Sequence, residues 1–185
     1  MQYFDKETRV NYNLGGGVNF HRSSNALKGG VSMNSIVHYE WGKKLKTKLN
    51  KVIPGDIFCF TLDNGSYGVG RIMTRNSLGH VAEIFETILC LPVVHTLLLK
   101  RSGDPVILDS YSLFDRKAEG DWRIVAHDNE YQAPLDEPIR FLYGVADNKR
   151  LVDIFDNETL LVEMKEDYPR YSPMGDENIK KIFSL

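Results

Sequence analysis

The chain has 185 residues and a net charge of −2, and 42% of its residues are hydrophobic and 26% charged. This length and composition are typical of one globular domain that buries a proper core. No apolar run approaches about 18 residues, which excludes a membrane-spanning helix, and the first residues lack the apolar core of a signal peptide, so we expect a cytoplasmic protein.

The first part of the chain differs from the rest in glycine content and in charge. We interpret residues 1–45 as a glycine-rich N-terminal extension, either an arm or a part of the same domain as residues 46–185. Polar and apolar residues alternate in 11–14 and in 18–21, which favours two short strands joined by a glycine turn. Residues 1–55 carry nine basic and three acidic side chains, a net charge of +6, and the remainder carries −8. This asymmetry indicates either an electrostatic role for one half or pairing between the halves.

The segment 39–52 is compatible with two secondary structures. Its apolar residues recur at helical spacing from Trp41 onward, but lysines also alternate with Leu45 and Leu49 as they would in a strand. In both cases five lysines point to water, namely Lys43, Lys44, Lys46, Lys48 and Lys51. Such a basic segment suits nucleic-acid binding, which is the alternative function for this chain. A solvated surface is the simpler interpretation, because the segment has no arginine and few aromatic residues.

The segment 53–73 is the clearest β-hairpin signal in the sequence. It opens on the turn residues Pro54-Gly55-Asp56, continues with an apolar run rich in strand formers, and turns again at Asn64-Gly65. Gly68 and Gly70 share one face of the return strand, because side chains alternate along a strand. Two glycines on one face leave a shallow slot, for which a bulge or bend of the hairpin is a simpler explanation than a binding site.

Strand and turn signals recur every 10 to 15 residues after the hairpin, and helical patterns are scarce. We predict strands at 81–91, at 106–108 continuing toward Leu113 and Phe114, and at 122–126, 139–145 and 151–155. Asp176 is predicted to cap a last helix, whose inner face is Ile179, Ile182 and Phe183. The predicted fold is therefore α+β and mainly antiparallel β, a twisted sheet or partly open barrel with one or two helices including a C-terminal helix.

Residues that carry catalysis or bind metals form no recognisable set in this chain. The five histidines are not spaced to share a metal ion, and no G-x-S-x-G motif is present. Cys59 and Cys90 both lie in apolar runs, which indicates two buried thiols in a reducing compartment. Cys59 in particular falls inside a predicted core strand, whereas reactive thiols need exposed, electropositive surroundings. We therefore expect no enzyme, with no catalytic residues, no metal and no cofactor.

The hairpin motifs resemble a known protein family. Gly-Asp-Ile-Phe at 55–58, Gly-Ser-Tyr at 65–67 and Gly-Arg-Ile at 70–72 are similar to the opening of the immunity protein 26 family, whose members accompany polymorphic toxins in bacteria. An Asp-Ser strand ending in Leu-Phe at 109–114 and a Gly-x-Trp strand at 120–125 follow in the order typical of that family. The resemblance extends over roughly the last three quarters of the chain, including the final helix.

This resemblance implies a protein that binds and neutralises a cognate toxin domain by occluding it, with no catalysis of its own. Tight protein interfaces centre on aromatic residues and arginine, and charge complementarity accelerates association. The candidate partner-binding residues are therefore Tyr39, Trp41, Tyr67 and Arg71. Trp122 is assigned to the core. We expect neither a membrane nor, in this interpretation, a nucleic acid as partner.

Overall fold

The computed structural model describes residues 36–42, 48–95, 99–114, 122–145, 148–161 and 167–183. Several predictions from the sequence fall outside these ranges. They are the strands at 11–14 and 18–21 with their glycine turn, almost all of the extension 1–45, and three of the five lysines. Within the described ranges, no helix is long and apolar enough to cross a membrane.

The described residues form two β-sheets with short helices beside them, which confirms the predicted fold class. The strands are β1 (Ile36–His38), β2 (Asp56–Thr61), β3 (Tyr67–Arg75), β4 (His80–Leu89), β5 (Val106–Leu108), β6 (Trp122–Asp128), β7 (Arg140–Tyr143), β8 (Arg150–Asp153), β9 (Glu158–Leu160) and β10 (Pro173–Met174). The α-helices are α1 (Ser110–Phe114) and α2 (Asp176–Lys180), and single 3₁₀ turns lie at Leu49–Lys51 and Lys181–Phe183.

The larger sheet is twisted and not closed. Its strands lie in the order β1-β6-β2-β3-β4-β5-β10, and every described neighbour pair is antiparallel except β5 with β10. The smaller sheet has the order β7-β8-β9 and is antiparallel. Among the described strands, β1 therefore lies at one end of the larger sheet and β10 at the other.

The predicted central hairpin is present as β2 and β3, and its first turn explains the Gly-Asp motif. Gly55 has φ of +91°, and a Cβ atom there would lie 2.7 Å from the carbonyl oxygen of Asp128. Only glycine fits such a left-handed, crowded position. The Asp56 carboxylate accepts a hydrogen bond from the Ile53 amide at 2.9 Å and lies 2.8 Å from Nδ1 of His127. Glycine and aspartate together thus tie the start of the hairpin to the end of β6.

The glycine slot on β3 is filled by the hairpin's own aromatic rings. Gly68 pairs with Phe60 and Gly70 with Phe58 across the two strands. Added Cβ atoms would lie 2.3 Å from the Phe60 ring and 2.4 Å from the Phe58 ring. The β3–β4 register also shifts between Gly68 and Gly70, as a bulge requires. The space beside these glycines is therefore occupied by side chains of the sheet itself, and they form no open binding slot.

The larger sheet carries apolar clusters on both faces. On one face Trp122 is buried and stacks on Phe60 with ring centroids 4.3 Å apart, and α2 packs there through Ile179. The opposite face has two clusters. One of them joins Cys59, Val69 and Val125 to the partly buried Trp41 and Tyr67 near β1, and the other joins Met73, Val81 and Ile107 to Ile139, Phe141 and Ile154. Trp122 is thus a core residue, as predicted.

Two local predictions were wrong. One concerned where a strand ends, and the other concerned which residue caps the last helix. The strand predicted to run on to Phe114 stops at Leu108, and α1 begins at Ser110. The Asp109 carboxylate accepts the Ser112 amide at 3.3 Å, which favours a helical turn over an extended chain. Asp176 does not cap α2, whose N-cap is Gly175. Its carboxylate instead accepts the indole N–H of Trp122 at 2.6 Å, and so ties α2 to the core.

A third prediction concerned the two cysteines, and it was half right. Both thiols are free, and Cys59 is fully buried. Cys90, however, is exposed in the bend after β4. The apolar run that contains it changes from sheet to irregular chain at this point, so hydrophobic neighbours in sequence do not surround it in space.

Candidate protein-binding surface

A groove of about 330 Å³ lies beside β1, and apolar side chains form most of it. It is lined by residues 38–41 and by Pro92, Val93 and Val125. We call it the aromatic groove. The Tyr39 amide donates to the Val125 carbonyl at 2.7 Å, which extends the pairing of β1 with β6 by one residue. This hydrogen bond positions residues 39–41 along the groove. The bend at Pro92, after the long strand β4, supplies the opposite wall.

Trp41 is fixed in this groove from two sides. Its ring meets the Tyr67 ring edge-on, with centroids 5.1 Å apart. The guanidinium of Arg123 lies 4.8 Å from the centre of the indole ring and also donates a hydrogen bond to the Trp41 carbonyl oxygen. A stacked cation and an edge-on aromatic partner each stabilise such a ring. The groove therefore has a preformed aromatic floor.

The rim of the aromatic groove is exposed and apolar. Tyr39 retains 48% of its accessible surface and Val93 retains 42%. Leu91, which precedes Pro92 in the chain, is also exposed. Exposed large apolar residues grouped around a concave surface are typical of binding sites, whereas isolated ones are not informative.

Arg71 lies in a different environment on the same face of β3. Its side chain is only 17% exposed, and its Nε donates to Glu83 Oε1 at 2.7 Å. It also approaches Asp128 at 3.5 Å. Arg101 donates to the other oxygen of Glu83 at 3.0 Å and makes a two-pronged contact with Glu137. We call these five residues the ionic cluster.

Tyr131 covers the ionic cluster. Its ring lies 4.3 Å from the Arg71 guanidinium, and its buried hydroxyl has no hydrogen-bond partner among the described residues. Burial raises the pKa of Tyr131 to about 12. The hydrogen bond to Glu137 raises the pKa of Arg101 further above its usual range, so this guanidinium stays charged. The cluster therefore links β3, β4, β6 and the loop after β6 through ion pairs, in which each arginine contacts two carboxylates.

The structure brings three of the four predicted partner-binding residues together. Tyr39 and Trp41 line the aromatic groove, and Tyr67 contacts Trp41 from β3. Arg71 is engaged in the ionic cluster instead. A role for any of the four in binding stays a prediction. Sequence reasoning missed Val93 and Arg123, since neither has a motif and only the fold places them beside Trp41.

The structure adds no support for the other candidates from the sequence, namely a reactive Cys59, the lysine segment and a metal site. Burial raises the pKa of the Cys59 thiol to about 12, which disfavours the nucleophilic thiolate. Lys48 and Lys51 are exposed, and the other three lysines lie outside the described residues. Among the residues that the structure describes, no group of three or more histidine, cysteine or acidic side chains is placed to hold a metal ion.

Comparison with known proteins identifies a family. The model of the family described as immunity protein 26 matches residues 53–153, which is more than half of the chain. The matched span contains the central hairpin, strands β4 to β8 and the whole ionic cluster. No curated protein and no solved structure matches the chain.

Proposed function

Because the chain belongs to the immunity protein 26 family, we propose that it binds a cognate toxin domain and neutralises it by occlusion, with no catalysis of its own. Family membership carries this proposal, since an immunity protein has a toxin as its protein partner. We propose further that the toxin belongs to a polymorphic system used in bacterial competition. The protein would then act in the cytoplasm of the producing cell.

The aromatic groove supports binding at the β1 end of the larger sheet. Hot spots of protein interfaces are enriched in tryptophan, tyrosine and arginine in preformed pockets, and the groove combines Trp41, Tyr39 and the neighbouring Arg123. Its floor is held before binding, so little side-chain entropy remains to be lost on association. We assign Tyr39, Trp41 and Tyr67 to this surface.

The groove also combines two parts of the chain. Residues 38–41 precede the matched span, whereas Pro92, Val93 and Val125 lie inside it. The ionic cluster lies entirely inside it. We therefore propose that the cluster maintains the family scaffold and that the segment before β2 adapts the surface to one toxin. Arg71 would contribute to binding through this scaffold.

Co-expression with the toxin domain encoded beside the gene tests the proposal. We expect restored growth of the host and a complex that co-purifies. Tyr39→Ala should weaken this complex by about 30-fold, which corresponds to about 2 kcal/mol at an interface hot spot. Tyr111→Ala is the matched control, because Tyr111 is an exposed tyrosine on α1 outside the groove. No growth rescue and no complex would refute the proposed function.

A further inference from the structure

Arg123 on β6 is a partly buried cation beside the floor of the aromatic groove. It pairs with Cys59 across β2 and β6, and paired residues share a face of the sheet. Its side chain therefore lies on the face that carries the apolar cluster of Cys59, Val69 and Val125. Removing a charge from water is costly unless an opposite charge compensates it, so the contacts of this guanidinium matter.

The guanidinium of Arg123 contacts Trp41 in two ways. Its Cζ lies 4.8 Å from the centre of the indole ring, and its Nη1 donates a hydrogen bond to the Trp41 carbonyl oxygen. Within the described ranges no carboxylate forms an ion pair with Arg123. The other edge of the guanidinium, formed by Nε and Nη2, consequently has no acceptor among these residues.

The two arginines of the ionic cluster show what this edge binds elsewhere in the same protein. Nε and Nη2 of Arg71 contact Glu83 Oε1 at 2.7 and 2.6 Å. Nε of Arg101 donates to Glu83 Oε2 at 3.0 Å. Two parallel N–H donors match the two oxygens of a carboxylate, which among protein side chains only aspartate and glutamate offer. The chemistry that would compensate Arg123 is therefore that of an acidic side chain.

We propose that the toxin supplies an aspartate or glutamate whose carboxylate binds the Nε and Nη2 edge of Arg123, beside an apolar contact with Tyr39 and Trp41 in the aromatic groove. This inference rests on the proposed function and specifies its partner contact. Stacking on Trp41 orients the guanidinium before binding, so the new ion pair costs little side-chain entropy. Arginine and tryptophan together are also typical of interface hot spots.

Three variants test this contact, with the toxin domain encoded beside the gene as the probe. Arg123→Met removes the charge but keeps a flexible side chain that packs well on aromatic rings. Its dissociation constant should rise about 30-fold, as expected when a buried charge pair loses one partner. Arg123→Lys keeps the charge without the two-pronged geometry, so its affinity should lie between that of Arg123→Met and that of the unmodified protein. Arg75→Met is the matched control, because Arg75 is exposed at the opposite end of β3 from Tyr67, and its affinity should not change.

The salt dependence of the affinity separates an ion pair from a purely structural role of Arg123. The dissociation constant should rise with salt more steeply for the unmodified protein and for Arg123→Lys than for Arg123→Met. A variant that merely displaced Trp41 would weaken binding equally at all salt concentrations. Equal salt dependence of the unmodified protein and Arg123→Met would therefore overturn the inference.

The stability of the free protein tests whether the chain itself supplies the carboxylate. Arg123→Met should shift the urea midpoint by about 0.5 M or less, because it removes one hydrogen bond and no ion pair. A fall of about 1.5 M, as for a broken buried pair, would overturn the inference. It would show that a carboxylate of this chain, Glu40 in the groove lining or one outside the described ranges, already binds Arg123.

The affinities also separate this inference from the proposed function. A complex of Arg123→Met as tight as that of the unmodified protein would overturn the inference and leave the proposed function intact. Failure of the unmodified protein to bind would refute the proposed function as well.

Discussion

The ionic cluster makes a quantitative prediction for Glu83→Gln, a change that removes one charge and almost no volume. The Glu83 carboxylate is 6% exposed and contacts Arg71 at 2.6 Å and Arg101 at 3.0 Å. Opposite charges about 4 Å apart interact by about 4 kcal/mol at the effective dielectric of about 20 that suits protein sites. The cost of removing these charges from water offsets a large part of that energy.

The expected loss for Glu83→Gln is about 3 kcal/mol of unfolding free energy, the lower end of the values for breaking a buried pair. The lower end applies because Arg71 retains Asp128, Arg101 retains Glu137, and glutamine still accepts a hydrogen bond. With a urea m-value of about 2 kcal/mol/M, the unfolding midpoint should fall by about 1.5 M. Urea titration followed by circular dichroism measures this shift.

Glu86→Gln is the matched control, because it makes the same chemical change three residues along β4. Glu86 pairs with Lys100 at 2.7 Å, but their side chains are 48% and 79% exposed. Exposed pairs contribute little, so the change should stay within about 0.5 kcal/mol. A Glu83→Gln midpoint as close to the unmodified protein as that of Glu86→Gln would refute the structural role of the ionic cluster.

Three further predictions concern the core and the titrating groups. Gly70→Ala should lower the free energy of unfolding, measured by thermal unfolding, by about 1–3 kcal/mol. The added Cβ would lie 2.4 Å from the Phe58 ring and 2.7 Å from the backbone oxygen of Glu83 on β4. The control Gly175→Ala meets nothing within 4 Å and should cost much less. Burial lowers the pKa of His80 below the ordinary histidine value of 6.5. The unfolded state therefore binds more protons than the folded state once the pH falls below about 6.5, and stability should fall as the pH drops through and below that value. The difference in stability between this protein and His80→Gln, measured by urea titration at several pH values, should shrink or reverse over that range, and a constant difference would contradict the assignment. Ellman's reagent should label Cys90 at once and Cys59 only after unfolding, and rapid labelling of two thiols in the native protein would show that Cys59 is accessible.

Much of the fold was predictable because its signals are local. The Gly-Asp turn, the Asn-Gly turn, the apolar run of β2 and the alternating pattern of β4 each determine a strand or a turn within a few residues. The failures had tertiary causes. Asp176 has the residue type of a helix cap, but the N-cap is Gly175, and the Asp176 carboxylate accepts the indole N–H of Trp122, which is distant in sequence. Strands β9 and β10, of three and two residues, have no sequence signal of their own and depend on the strands beside them.

The candidate surface was predictable only in part. Tyr39, Trp41 and Tyr67 were selected by residue type, and the fold places them together. Arg71 was selected by the same reasoning, but the partners that engage it lie 12 and 57 residues away in sequence. The position of β1 beside β6, at one end of the described sheet, depends on the order of strands, which no local pattern in the sequence encodes.

The most direct test of the account is co-expression with the toxin domain encoded beside the gene, followed by purification of the complex and measurement of its dissociation constant. The account predicts restored growth, a stable complex, and a dissociation constant that rises about 30-fold for Tyr39→Ala but not for Tyr111→Ala. Restored growth with equal affinities for both variants would contradict the aromatic groove as the binding surface. Continued toxicity without a complex would contradict the function itself.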